Sequence, residues 1–85
     1  MTTQSMRHYI HADPQICFGK PVFRGTRIPV YLVLELLESG VSQKEIVGDD
    51  YYPRLTLNHI RAALHYASTL AQRHEILSLH KASTR

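Results

Sequence analysis

Two arginines stand close together in the segment GKPVFRGTRIPV, residues 19–30, where Arg24 and Arg27 flank a Gly-Thr pair. A guanidinium group binds phosphate or carboxylate oxygens through two parallel hydrogen bonds, so paired arginines are suited to hold an anion. A hairpin that turned on Gly25-Thr26 as a type II′ turn would pair Phe23 with Ile28 and set the two arginine side chains opposite one another. Proteins usually avoid like charges in that arrangement. The segment therefore predicts either a different register or an anion-binding site.

Two interpretations of these arginines follow from the sequence. In the first, Lys20, Arg24 and Arg27 bind an anionic partner, because they are the cations of this segment. In the second, the two arginines brace the hairpin by pairing with carboxylates of their own chain, such as Glu35 or Glu38. The residue types alone leave both interpretations open.

The histidines and the cysteine do not form a recognisable catalytic or metal-binding set. There are six histidines, but their spacings, such as His8 with His11 or His59 with His65, are not those of metal ligands on one helix face. The single cysteine excludes an internal disulfide, fits a reducing compartment and is expected to be a small buried apolar residue. We predict no enzymatic activity, no metal, no cofactor and no small-molecule substrate.

Length and charge predict one small domain in the cytoplasm. Of the 85 residues, 44% are hydrophobic and 20% are charged, and the net charge is +3. Basic residues dominate residues 1–34, whereas residues 35–72 lean acidic. The opening residues lack the apolar core of a signal peptide, and no apolar run is long enough to cross a bilayer. A basic arm of this kind is compatible with nucleic acid or with an acidic protein surface.

The elements that must position the arginines begin with a short β arm. Residues 1–15 show no clear period apart from a short edge strand at Tyr9 to His11. β-rich residues from Ile16 to Val30, interrupted by glycine and proline, then predict two short strands. We expect this N-terminal segment and arm to occupy residues 1–30 of the single domain.

A three-helix core over residues 30–74 is predicted to follow the arm, with a tail at residues 75–85. Pro29 suits the entry to a first helix over residues 30–39, and Gly40 suits its end. A capping box, Ser42-Gln-Lys-Glu45, predicts a second helix from Gln43 to about Asp49. The third helix follows a Thr56 cap. Its predicted buried stripe is Leu57, Ile60, Leu64, Ala67 and either Leu70 or Ala71.

This arrangement predicts a mainly α fold, a trihelical helix-turn-helix domain of homeodomain-like or winged-helix-like type with a short N-terminal β-hairpin arm. The second helix of such a pair contacts base edges through its N-terminal residues, and Ala62 would suit a thymine methyl group. In the alternative, this surface is an ordinary solvated helix face. The predicted DNA-binding residues are Arg24, Arg27, Arg54, Asn58, Arg61 and His65.

Two stretches of the chain, GKPVFRGTR and SGVSQKEIVGDDYYPRLTLNHIRAALHYA, resemble the domain of unknown function 433 family. The resemblance runs from about Asp13 to Ala67. The family more often has two acidic residues where this chain has Asn58-His59, and their absence removes negative charge from the start of the third helix. The matching positions are Gly19 to Arg27, Gly40, Ser42, Glu45, Ile46, Tyr52-Pro53, Leu55-Thr56, Ile60, Ala62 to Leu64 and Tyr66-Ala67.

The resemblance implies an antitoxin-like, VapB-type component of a type II toxin–antitoxin pair, often dimeric. Its partner would be a PIN-like ribonuclease toxin, and such antitoxins generally also bind their own operator DNA. An alternative is a protein-interaction module that does not bind DNA. A further alternative is a small helical domain with no more than a structural role.

Overall fold

In a computed structural model, which describes residues 1–73, the chain forms a mainly helical domain. Its described part contains α1 (Thr3–Tyr9), β1 (Ile10–His11), β2 (Val22–Phe23), α2 (Val30–Glu38), α3 (Gln43–Ile46) and α4 (Leu57–Arg73). The small α fold with a β arm is therefore confirmed, whereas its helix-turn-helix type stays a prediction. The predicted tail at residues 75–85 lies outside the described residues.

The first helix, α1, was not predicted. Its N-terminus is capped by Thr2, whose side chain accepts a hydrogen bond from the Ser5 backbone N–H at 3.0 Å. Met6 is the residue that α1 buries, and a single buried side chain leaves no apolar period for a sequence pattern to detect. The helix forms because it packs against α4.

The two strands form an antiparallel pair in which Ile10 lies opposite Phe23 and His11 opposite Val22. The other edge of β2 contacts the chain after the turn, through a bridge from Val22 to Pro29 and a 3.0 Å hydrogen bond from the Phe23 N–H to the Ile28 carbonyl. The predicted pairing of Phe23 with Ile28 is confirmed. In this two-stranded sheet each strand lies at an edge, and the isolated bridge to Pro29 flanks β2 on its other side.

The predicted type II′ turn is wrong by one residue. The turn closes with a 3.0 Å bond from the Thr26 N–H to the Phe23 carbonyl, so Gly25 is its second central residue, at φ +81°. Glycine at that place is the signature of a type II turn. The Arg24 N–H donates to the Tyr9 carbonyl at 2.8 Å and so faces β1. Arg24 and Arg27 are therefore not a cross-strand pair, and the expected repulsion does not arise.

A 3-10 turn at Cys17–Gly19 replaces part of the predicted β-rich stretch. Cys17, Phe18 and Gly19 all have positive φ, at 51°, 56° and 83°. Phe18 is 99% exposed, so it contributes nothing to the core. Cys17 was expected to be buried but is half-buried, with its thiol 3.7 Å from the Arg27 carbonyl.

The predicted first helix is confirmed as α2, which follows Pro29 and is ended by Gly40 at φ +99°. The capping box of α3 is also confirmed, with the Glu45 N–H on the Ser42 hydroxyl and the Ser42 N–H on the Glu45 carboxylate, both at 3.1 Å. However, α3 ends at Ile46 rather than near Asp49. The Ile46 carbonyl accepts from the Tyr52 N–H at 2.8 Å, so the chain reverses direction there.

The long helix α4 begins after Thr56 as predicted, but its buried face is not the predicted stripe. Ile60 is fully buried, whereas Leu57 and Leu64 are 49% and 41% exposed. The remaining buried residues of α4 are Ala62 and Ala63. Because α1 packs on α4 together with α2 and α3, the buried surface covers more than one side of the helix. Small alanine side chains let neighbouring elements approach closely.

The core lies between the β arm and the helices. Its fully buried large side chains are Phe23, Ile46, Ile60, Val22, Val30 and Val33. Each comes from β2, α2, α3 or α4, so the strand that leads into the arginine turn is anchored in the same core as the helices.

A candidate anion-binding face

The first arginine of the turn, Arg24, is tied to the end of α1. Its side chain is exposed, and its Nη2 donates a 2.8 Å hydrogen bond to the carbonyl of Arg7, in the last turn of α1. Helix C-termini carry unsatisfied carbonyls and partial negative charge, so a cation stabilises them. The guanidinium has five N–H donors, and this bond uses one of them. Arg24 is thus a brace, but to the backbone of α1 and not to Glu35 or Glu38.

The second arginine of the turn, Arg27, lies at the same depression as Arg54, which comes from the loop that precedes α4. Both side chains are exposed and line one open depression of about 520 Å³. His11 of β1, Gly25 and Thr26 line it as well. The structure thereby brings together cations that lie far apart in the sequence.

A second depression, of about 410 Å³, lies on the other side of His11. Its cations are Arg7 and Arg24, and the half-buried ring of Tyr66 from α4 forms part of its wall. Since His11 lines both depressions, they are adjacent. We call the surface formed by Arg7, His11, Arg24, Arg27 and Arg54 the arginine face.

The arginine face is electrostatically uniform. Neither depression has an aspartate or a glutamate among its lining residues. Asp13 is the acidic residue that follows His11 most closely in the sequence. Its carboxylate accepts the Gln15 N–H at 2.9 Å in its own loop. An arrangement of guanidinium groups without carboxylates between them attracts a molecule that carries several negative charges.

Lys20 does not join the arginine face. Its Nζ lies 5.5 Å from the centroid of the Tyr31 ring, at the start of α2, and it lines neither depression. Of the predicted partner-binding residues, the structure thus joins Arg24 and Arg27 to the face and sets Lys20 apart.

The predicted DNA-binding residues of α4 divide into two groups. Asn58 and Arg61 are exposed and lie one helical turn apart on α4. His65 is half-buried, and its Nε2 lies 3.4 Å from the Thr3 hydroxyl of α1. Ala62 is fully buried, so the expected contact with a thymine methyl group is wrong. The unpredicted helix α1 lies against the part of α4 that contains His65.

Sequence reasoning missed Arg7, His11 and Tyr66 as members of the site. The sequence offered a signal for His11, because Tyr9 to His11 reads as an edge strand that could pair with the arm. No pattern pointed to Arg7, since its helix has no apolar period. Tyr66 was visible only as part of the family pattern.

The histidine at the start of α4, His59, has a structural role next to this face. Its Nδ1 accepts the Thr56 backbone N–H at 3.0 Å and lies 2.9 Å from the Thr56 hydroxyl. The ring also packs edge-on against Tyr9 and Phe23, with centroids 4.9 and 5.7 Å apart. Burial lowers the pKa of His59 from its usual value of 6.5. A neutral imidazole therefore takes the place of the glutamate of a capping box.

Within residues 1–73, no three His, Cys, Asp or Glu side chains come together as a metal site. In the same part of the chain, no helix is long and apolar enough to cross a membrane. The absence of catalysis and of a cofactor stays a prediction.

Fold and site together define a small α-helical domain with a cationic β arm. The family model described as "Protein of unknown function (DUF433)" matches residues 10–67, which include both strands and most of α4. The chain belongs to this family. The description of this family gives no function for its members.

Two similar proteins extend this assignment. The uncharacterized protein y4eO of Sinorhizobium fredii is 38% identical over 61 residues, a match that covers 72% of this chain and 27% of that protein. The chain thus spans about a quarter of the length of this curated relative. A crystal structure of a DUF433 member from Anabaena variabilis has a similar fold, with a TM-score of 0.69 and 31% sequence identity, covering 82% of this chain and 67% of that one.

Proposed function

We propose that the chain is an antitoxin-like component of a type II toxin–antitoxin pair and that it acts through the arginine face. The observation that carries the proposal is the meeting of Arg27 and Arg54 at one depression lined by no carboxylate. Two guanidinium groups at one depression attract an anionic partner, which gains charge-assisted hydrogen bonds from them.

A PIN-like ribonuclease is a suitable partner on chemical grounds. Its active site is a cluster of metal-binding carboxylates, and guanidinium groups bind carboxylates in a bidentate geometry. An arm that covered this cluster would compete with both the metal and the RNA. Electrostatic attraction of the two surfaces would also speed their association.

Operator DNA is the second ligand of the proposed function, with a homodimer presenting two arginine faces to two half-sites. Phosphate contacts from arginines supply affinity without sequence information. Asn58 and Arg61 would be available for base edges because both are exposed. The contact of His65 with α1 favours the arginine face over a deep insertion of α4.

The experiment that tests the proposal produces this chain together with the product of the adjacent gene and measures whether the chain inhibits a ribonuclease activity of that product. Arg27→Glu reverses one charge at the depression, and we expect it to weaken inhibition by at least tenfold. Lys44→Glu, in the exposed part of α3, makes the same charge change away from the face and is the matched control. Arg24 is not substituted in this experiment, because loss of its hydrogen bond to α1 would change the stability of the chain as well as its binding. Inhibition that Arg27→Glu leaves intact would contradict the proposal.

A second candidate is a protein-interaction module that does not bind DNA. The observation that favours it is the packing of α1 against α4, which reduces the surface that α4 could insert into a groove. Binding of duplex DNA from upstream of the gene distinguishes the two candidate functions. For a DNA-binding protein, we expect the slope of log affinity against log salt to fall by about one for each phosphate-contacting arginine removed. Inhibition without any duplex binding would favour this second candidate.

A further inference from the structure

The two depressions of the arginine face differ in their chemistry. The first is lined by Arg27 and Arg54, whose guanidinium groups supply its hydrogen-bond donors, and also by Ile16 and Gly25. The hydroxyl of Thr26, which lies there too, donates to the Phe23 carbonyl, so the two arginines carry the polar chemistry of this depression. Two guanidinium groups on one small surface suit a doubly coordinated oxyanion such as a phosphate. Its volume of about 520 Å³ is large enough for a phosphate and part of a sugar.

The second depression is more apolar. Tyr66, Met6, Ile10 and Pro21 contribute apolar surface, while Arg7 and Arg24 lie beside them. A flat ring with polar edges fits such a surface, since its faces contact apolar groups and its edges accept hydrogen bonds. Nucleobases stack on aromatic side chains whatever their sequence, because every base has a π face.

We propose that the arginine face binds an unpaired nucleic-acid strand, with a phosphate between Arg27 and Arg54 and an adjoining base beside Tyr66. His11 lies between the two positions and lines both. A duplex offers only its backbone to such a surface, because its bases are stacked on one another and paired. An acidic protein segment offers carboxylates for the first depression but no flat ring for the second.

The proposal deepens the function proposed above and rests on it for the use of the same face. It adds a ligand class, single-stranded RNA or DNA, that neither ribonuclease inhibition nor operator binding requires.

The test compares three anionic probes by fluorescence anisotropy at one salt concentration. The probes are a labelled 12-nucleotide single strand, the duplex of the same sequence, and poly-glutamate as a competitor. We expect the single strand to bind at least tenfold more tightly than the duplex. Poly-glutamate should compete poorly at equal charge concentration, because it lacks bases.

Variants then test separately how much each depression contributes to single-strand binding. Arg27→Ala with Arg54→Ala should weaken single-strand binding about tenfold or more and reduce its salt slope by about one to two. Tyr66→Leu should weaken single-strand binding by about tenfold through the loss of stacking, with the salt slope unchanged. Lys44→Ala with Arg73→Ala removes the same two charges from exposed positions outside the face and should have little effect.

Tyr66 packs against the core, so its substitution could perturb folding. Amide NMR shifts of the wild-type chain, titrated with the single strand, provide a second readout that needs no variant. We expect the largest shifts at His11, Gly25, Thr26 and Tyr66. Shifts that instead follow Asn58 and Arg61 along α4 would overturn the proposal.

The remaining outcomes also decide the question. Equal binding of duplex and single strand, equal competition by poly-glutamate, or no binding of the single strand would each overturn the nucleotide site. If ribonuclease inhibition or duplex binding persisted in that case, the proposed function would stand without it. Single-strand binding by a chain that neither inhibits the ribonuclease nor binds the duplex would support the site and contradict the proposed function.

Discussion

Phe18 holds a backbone conformation that side chains disfavour, and its ring gains no burial in return. Its φ and ψ of 56° and 34° lie in the left-handed region, and the side chain is 99% exposed. Such a conformation costs a residue with a Cβ about 1–2 kcal/mol relative to the right-handed one. The turn survives because the residues on both sides of it are fixed, by Asp13 and Ile16 before it and by the paired strand β2 after it.

We therefore expect Phe18→Gly to raise the free energy of unfolding by about 0.5–1 kcal/mol, after the greater flexibility of glycine in the unfolded chain is subtracted. Phe18→Ala keeps the Cβ and is the control, with an expected change within about 0.5 kcal/mol. Urea unfolding measures both. A glycine variant less stable than the wild type would show that the exposed ring contributes contacts that the structure does not contain.

His59 makes stability depend on pH, because its neutral form is the one that the fold uses. Protonation would replace the acceptor of the Thr56 N–H by a second donor and would place a positive charge at the N-terminus of α4. The aromatic rings of Tyr9 and Phe23 pack against it, from α1 and β2, and supply no carboxylate to offset that charge. The lowered pKa of His59 follows from burial at this site.

The sign of the effect follows from proton binding. Below the usual pKa of 6.5 the unfolded chain protonates His59 more readily than the folded chain does, so stability is full above that pH and falls as the pH decreases through it. His59→Gln keeps an acceptor at the capping position but cannot titrate. We expect unfolding experiments between pH 7.5 and about pH 5 to show a shallower loss of stability in this variant. Equal slopes in both proteins would mean that folding does not lower the pKa of His59.

At the scale of elements, α4 is the helix whose sequence pattern misleads most. Its apolar residues predict one stripe, yet the structure buries Ile60 and leaves Leu64 41% exposed. The reason is that α1 covers a side of α4 that the pattern assigned to solvent. Ala62 and Ala63, which look indifferent in the sequence, are fully buried as a result.

The pair Ile60→Ala and Leu64→Ala tests this assignment directly. We expect the first to lower the free energy of unfolding by about 2–5 kcal/mol, because it leaves a cavity in the core. The second removes a partly solvated side chain and should cost less than about 1 kcal/mol. Denaturant midpoints of the two variants, measured against the wild type, give the comparison. Similar losses in both variants would mean that Leu64 is buried as the sequence pattern predicts. The packing of α1 against α4 would then be wrong.

At the scale of the whole molecule, the arginine face is a product of the way the chain closes on itself. Arg7 arrives at the end of α1, His11 on β1, Arg24 and Arg27 on the turn, and Arg54 on the loop before α4. None of these four segments carries the site alone. The shared core of β2 and the helices holds the segments in one arrangement, and ordered positioning of this kind lowers the entropic cost of binding an anion.

The sequence by itself determined the features that depend on neighbouring residues. Gly40 ends α2, Ser42 and Glu45 cap α3, Thr56 precedes α4, and the pairing of Phe23 with Ile28 follows from a short apolar alternation around a glycine. These are local effects, in which a few adjacent residues fix the backbone through caps and turns. The arginines of the turn were likewise recognisable as candidates for anion binding from their type and spacing.

Only the tertiary structure decided what those arginines meet. The type II turn, rather than type II′, arises because the Arg24 N–H finds the Tyr9 carbonyl of a helix that has no sequence signature. The same helix turns His65 and Ala62 away from solvent, and the approach of the loop before α4 brings Arg54 to Arg27. Contacts between residues distant in the chain depend on the packing of all elements at once, which no local pattern encodes.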